Sequence, residues 1–257
     1  MTGHSRKHRR SPATATEFRE VMDALRDAKE AYPSVESRKD KKNFAERFSR
    51  NLALVFANRL RKRFPGVLPD ASGRQQESRA RSSHGYKKLD VNYSTLELGL
   101  GLGISIKTIN ARDAKSKRYT KNYSRADNEF RAESMDYHVR QPYAALVGVL
   151  LLPLDACADG GPEADDRGVS SFGAAVRFFR RRAPRSEPTS QPDRFERFFI
   201  GLYDESGAST RFVDVSVAPP RRGPPATDRS LDLEDVLAEV IAEFDRRNDP
   251  PFEWAPE

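Results

Sequence analysis

The residue types best placed to do chemistry in this chain are an aspartate and a lysine, Asp90 and Lys107. Both lie in residues 87–110, KKLDVNYSTLELGLGLGISIKTIN. A carboxylate is a hard oxygen ligand, and a lysine is a compact positive charge on a flexible stem. Asp90 closes a short strand, and a second, glycine-punctuated strand ends in Ser105-Ile106-Lys107. The even positions Leu98, Leu100, Leu102, Ile104 and Ile106 are aliphatic, whereas Gly99, Gly101, Gly103 and Ser105 carry almost no bulk until Lys107. A strand alternates its faces with period two, so one face is apolar and the other nearly bare. Glycine inside a strand marks a close approach by a backbone or a ligand. Either helix backbones pack on the glycines and Lys107 reaches past them to water, or the bare face leads the lysine to a bound group.

The elements that must position this pair follow from periodicity. A helix is predicted over residues 15–31, with Phe18, Val21, Met22, Leu25 and Ala28 inward. A second is predicted over 42–64, with Phe44, Phe48, Leu52, Val55, Phe56 and Leu60 as its stripe, ended by Pro65-Gly66. Residues 68–85 lack periodicity, carry several arginines and read as a long loop leading into Asp90, a substrate-tracking segment or a plain connection. After Lys107 a helix is expected over about 124–140, with Ala126, Phe130, Ser134 and Tyr137 inward. Residues 143–154, YAALVGVLLLPL, are apolar on both parities, as a strand buried on both faces of a parallel sheet must be. Strand, helix and buried strand then make a parallel crossover. A short helix over 171–182, a hairpin over 194–217 and an amphipathic helix over 230–247 complete the pattern. Residues 1–13 read as a disordered basic tail, 14–217 as one domain and 218–229 as a Pro-rich linker. Residues 230–257 read as a helix and tail packed on the same domain.

Composition narrows the partners. The 257 residues carry a net charge of +7, with 32% charged and 37% hydrophobic residues. That balance favours a polyanion, nucleic acid before an anionic membrane surface. The single cysteine, Cys157, excludes an internal disulfide, and with four histidines it excludes a Cys-rich zinc site. Together these suit a cytoplasmic protein. No apolar run is long enough to span a bilayer, and the basic N-terminus lacks the apolar stretch of a signal peptide.

The order helix, strand with Asp90, strand ending in Ser105-Ile106-Lys107, helix and buried strand resembles the core of the PD-(D/E)XK nuclease superfamily. The resemblance covers residues 42–154. It implies an α/β fold with a restriction-endonuclease-like core: a central mixed sheet flanked by helices, here with a C-terminal hairpin and helix. It implies a metal-dependent endonuclease hydrolysing DNA, with Mg2+ or Mn2+ as cofactor and a role in restriction or phage defence. A homodimer, or a partner protein in a defence complex, belongs to the same expectation. Asp90 matches the family's first metal-binding aspartate, and Lys107 matches its lysine. Two features depart from the pattern: Ser105 stands where the second acid belongs, and the Arg-rich loop offers no candidate for the usual extra strand before Asp90. Glu97 between the strands and Glu46 on the preceding helix are candidates for the missing carboxylate, and Asp127 and Glu133 on the crossover helix are others.

In such a site, carboxylates converge on Mg2+, which acidifies its water and screens the phosphate, while the lysine orients or deprotonates the attacking water. The basic residues that would follow the phosphate backbone are Arg79, Arg81, Lys87, Lys88, Arg118, Lys121, Arg125, Arg180 and Arg181. Tyr119 and Tyr123 beside Arg125 either stack on bases or fill space. The glycine run does not continue into a Gly-Lys-Ser/Thr helix, which argues against a nucleotide-binding loop. His84 and His138 read as hydrogen-bonding residues rather than metal ligands, and Cys157 as a structural thiol. Two rival readings remain. One is a non-catalytic nucleic-acid-binding or adaptor protein with a degenerate site; the other is a structural subunit whose basic surface meets an acidic protein.

Overall fold

Capping groups and apolar stripes at helical spacing decide where the helices run. In the computed structural model, residues 18–35, 37–75, 78–82, 85–96, 99–159, 168–204, 206 and 209–248 are described, with the backbone alone for 78–82 and 85–88. Helix α1, Val21–Ala31, buries Val21, Ala24, Leu25 and Ala28, and its Asp23 accepts from the Glu20 N–H at 2.8 Å. It starts six residues later than its periodicity suggests, although Phe18 just before it is also buried. Helix α2, Arg38–Leu60, starts earlier than expected because the Ser37 hydroxyl accepts from the Asp40 N–H at 3.0 Å. Its predicted stripe from Phe44 to Leu60 is buried. Asp27 of α1 fastens the two helices, accepting from Arg47 at 2.6 Å and from Asn51 at 2.5 Å.

Residues 68–85, expected as a loop, hold a strand. β1, Ser78–Ser82, pairs antiparallel with β2, Gly85–Leu89, and Leu68 bridges Asn92 through two backbone hydrogen bonds. Serine and arginine give no hydrophobic alternation, so a hairpin made by backbone pairing is invisible to a periodicity search. After the bend at Asp90 come β3, Val91–Thr95, and β4, Gly99–Thr108. Helix α3, Tyr123–His138, crosses over to β5, Ala145–Pro153. Helix α4, Ser171–Phe179, strands β6, Arg197–Tyr203, and β7, Thr210–Asp214, and helix α5, Leu233–Arg247, follow. The main sheet has the order β3-β4-β5-β6-β7, with parallel pairs β4/β5 and β5/β6 and antiparallel pairs at both edges.

The fold is therefore α/β, with a five-stranded mixed sheet between two helical layers. Val147, Val149 and Leu151 pack with α1, α2 and α5, whereas Leu146, Leu150 and Leu152 pack with α3 and α4. That alternation is why β5 is apolar on both parities. The Pro-rich stretch after β7 lies along the domain, with the Ser170 N–H donating to Arg221 O and the Gly223 N–H to Cys157 O. Among the described residues no helix is long and apolar enough to cross a membrane.

The glycine strand departs from simple alternation. Tyr93 stands opposite Leu102 but Ser94 opposite Leu100, so β4 bulges at Gly101. Leu100 consequently joins the core under α3, while Leu102, Ile104 and Ile106 join the core under α1 and α2. The bare positions are not open: a Cβ at Gly103 would meet Leu89 Cδ1 at 2.7 Å and Leu146 Cδ2 at 2.8 Å. Neighbouring side chains occupy the room that the sequence pattern offered to a ligand.

Candidate functional site

Val91 stands opposite Ile104, which sets Asp90 beside the last residues of β4. The Asp90 Oδ2 accepts from the Ile106 N–H at 2.6 Å, so the carboxylate docks between Ser105 and Lys107. Alternation sends both of those side chains toward α3. There the Lys107 Nζ donates to Glu133 Oε1 at 2.7 Å, and the Ser105 hydroxyl donates to Glu133 Oε2. The ammonium also lies 5.8 Å from the centre of the Phe130 ring.

Glu133 comes from the crossover helix because Phe130 and Tyr137, three before and four after it, are buried against the sheet. An acid between them faces the end of β4. The ion pair is sheltered but open to water, with 22% of the Lys107 side chain and 21% of the Glu133 side chain exposed. Burial works against the Lys107 charge, but Glu133 and Asp90, with Glu129 behind them, outweigh it and raise the lysine above its ordinary value. Tyr137 is fully buried, and its hydroxyl has no hydrogen-bond partner among the described residues. Burial, then Glu133 and Asp90, push this phenol well above the usual tyrosine range.

The candidates for the missing acid separate. Glu133 is hydrogen-bonded to Ser105, the residue that stands where the acid was expected. Glu46 is exposed and pairs with Lys42 at 3.5 Å on α2. Asp127 is clamped by Arg182 at 2.6 Å and Arg181 at 2.7 Å. Glu97 lies outside the described residues. Among the described residues no three His, Cys, Asp or Glu gather closely enough to hold a metal ion. Asp90 and Glu133 are the two carboxylates that meet the end of β4, and Mg2+ is commonly held by one or two carboxylates, with water and phosphate completing its shell.

The basic residues divide as well. Arg118 is buried and donates to Val169 O at 2.7 Å, so it is an internal brace rather than a phosphate contact. Arg180 donates to Val215 O and Val217 O at 2.8 and 2.9 Å, tying α4 to the end of β7. Arg181 pairs with Asp127 and stacks 4.3 Å from the Phe178 ring centre. Lys121 and Arg125 are exposed and pair with Asp113 and Glu129. On the hairpin, Arg79 stands opposite Lys88, Ala80 opposite Lys87 and Arg81 opposite Tyr86, directly upstream of Asp90.

Several other candidates are structural. Tyr119 donates to Asp155 at 2.7 Å and Tyr123 to Ser171 O at 2.9 Å, both buried in the core under α3 and α4. His138 is buried between the Pro192 and Ala144 carbonyls, 3.3 Å from Glu196. Cys157 is buried, and burial followed by Asp159 and Asp155 pushes its thiol up to about 12. His84 lies outside the described residues. Tyr137 is the residue that sequence reasoning assigned to the core alone; its position one turn beyond Glu133 was the available signal. Comparison with protein-family models, with curated proteins and with solved structures finds no match to this chain.

Proposed function

We propose that this chain is a metal-dependent endonuclease with a restriction-endonuclease-like core, hydrolysing phosphodiester bonds in DNA. The observation that carries the reading is the placement of Glu133: its carboxylate is hydrogen-bonded to Ser105 and ion-paired with Lys107, beside Asp90. Element order supports it, since α2, Asp90, the Ser105-Ile106-Lys107 strand end, α3 and β5 follow one another as in that superfamily. Asp90 and Glu133 would hold Mg2+ or Mn2+, which supplies an acidified water and charge screening at the phosphate. Lys107, kept charged by its acidic neighbours, would neutralise charge on the phosphate or orient the attacking water. The basic hairpin and the excess of positive charge provide attraction to the DNA backbone. Restriction or phage defence, and action as a homodimer or with a defence partner, extend this proposal through the resemblance.

The test is supercoiled plasmid incubated with Mg2+, Mn2+ or EDTA. Nicking that requires the metal and disappears in Asp90→Ala and Lys107→Ala supports the nuclease; nicking unchanged in both variants removes it. A second reading, a DNA-binding protein without catalysis, is favoured by the direct Lys107–Glu133 ion pair, which already engages both side chains. DNA binding without metal-dependent nicking, with candidate partner proteins present, selects that reading.

A further inference from the structure

Tyr137 carries a hydroxyl that its surroundings do not use. The side chain is fully buried, and no described residue accepts from or donates to the Oη. A buried tyrosine normally finds a partner for its O–H, and leaving one unmet costs about 1–3 kcal/mol. Phenylalanine would fill the same space in the core under α3 and α4 without that penalty. The hydroxyl therefore points to a partner that joins it in another state of the protein.

The geometry limits what that partner is. Side chains on a helix lean toward its N-terminus, so the Tyr137 ring lies over the turn that carries Glu133. Glu133 and Tyr137 stand four residues apart on α3, so they share one face of the helix. Glu133 is engaged elsewhere, with Oε1 on Lys107 and Oε2 on Ser105. The phenol is too buried to meet a phosphate directly, whereas a carboxylate that shifts inward would come to it. A divalent cation at Asp90 supplies the reason for a shift, because it competes with the Lys107 ammonium for the same oxygen.

We propose that Tyr137 is a positioning residue of the cation site, whose hydroxyl donates to the Glu133 carboxylate when a divalent cation draws that group from Lys107 toward Asp90. The proposal rests on the reading that Asp90 and Glu133 hold the cation. A donor that stays protonated across the working pH range is suited to fixing a ligand carboxylate without competing for its charge.

The experiment uses the full-length protein and MnCl2 as probe, comparing wild type with Tyr137→Phe by isothermal calorimetry, near-ultraviolet tyrosine difference spectra and thermal unfolding without cation. The expected result is a Kd for Mn2+ about tenfold weaker in the variant. A wild-type tyrosine difference band on Mn2+ addition should vanish in the variant, and the cation-free Tm should be unchanged or raised. Equal Mn2+ affinity in the two proteins overturns the proposal and leaves the nuclease reading standing. A cation-free Tm well below wild type, or a variant that does not fold, shows that the hydroxyl already has a structural partner and overturns it too. Absence of Mn2+ binding in the wild type removes the nuclease reading together with the proposal.

Discussion

Lys107 and Glu133 form a 2.7 Å ion pair that joins the end of a sheet strand to the helix crossing over it. The residues lie far apart in sequence, and only the parallel crossover between β4 and β5 brings them together. Asp90, bound to the Ile106 N–H, completes a cluster in which one lysine is balanced by acids from a strand end and from a helix.

Glu133 should be as necessary as Asp90. Glu133→Ala is expected to lower plasmid nicking by about a hundredfold or more, whereas Glu46→Ala, on an exposed pair with Lys42, should leave it unchanged. Because Ser105 touches the Glu133 carboxylate, an acid at position 105 would bring its carboxylate to nearly the same place. Ser105→Asp in the Glu133→Ser background should therefore recover part of the activity. Full activity in Glu133→Ala sinks the assignment.

Much of this arrangement was legible in the sequence, for physical reasons. The apolar stripes of α2, α3 and α5 and the two-sided burial of β5 are periodicities, and they predicted those elements and their order. Lys107 was readable from strand alternation, and Asp90 from its place at a strand end together with the family resemblance. The hairpin of β1 and β2 was not, because polar residues held by backbone pairing leave no hydrophobic signature. The bulge at Gly101 was not either, and it sends Leu100 and Leu102 to opposite faces despite their shared parity. Glu133 stood among four candidate acids, since spacing alone cannot decide which carboxylate a crossover helix delivers to a strand end. Arg118 looked like a phosphate contact because composition does not distinguish a surface arginine from one bound to an internal carbonyl.

The charge on Lys107 gives alkaline pH a defined effect. Burial would lower its pKa, but Glu133 and Asp90 raise it, so the folded value lies above the unfolded one. A raised lysine contributes stability that is fully present below the unfolded value, about 10.4, and is lost as pH climbs through the folded value. Denaturant unfolding of wild type and Lys107→Met across about pH 9 to 11 should show the wild type losing more stability than the variant. Parallel curves would contradict the pairing.

A second buried network governs acid stability. Glu196 accepts from Arg185 at 2.9 Å, from Arg247 at 2.8 Å and from the Leu146 N–H at 2.7 Å, with His138 3.3 Å away. It ties the start of β6 to α5 and to the end of α3. Burial would raise its pKa, yet His138, the Leu146 amide and Arg247 hold it below the ordinary glutamate value. Its contribution is thus present above the unfolded value, about 4.3, and lost as pH falls through the folded one. Glu196→Ala leaves two buried guanidinium groups facing each other and should cost about 3–5 kcal/mol, measured by urea unfolding at neutral pH. A loss below about 1 kcal/mol would mean that the network is solvated.

Gly148 offers the most direct test of how tightly the sheet is built behind the site. It pairs across from Ser105 on β4, and on its other side the ring of Phe198 occupies the space a Cβ would need. That ring cannot simply turn aside: it is stacked on Phe179 at 5.2 Å and meets Phe130 edge-on at 4.8 Å, with Phe195 at 5.8 Å. A methyl group at position 148 must therefore push the aromatic cluster or the strand. Gly148→Ala is expected to destabilise by about 1–3 kcal/mol, the usual cost of overpacking. Because Ser105 stands opposite, and Phe130 also lies under the Lys107 ammonium, the strain should reach the site as weaker Mn2+ binding. Gly66→Ala provides the control, since nothing lies within 4 Å of its added carbon. Thermal unfolding that ranks Gly148→Ala level with Gly66→Ala would show that the aromatic layer yields freely and does not hold β4 in place.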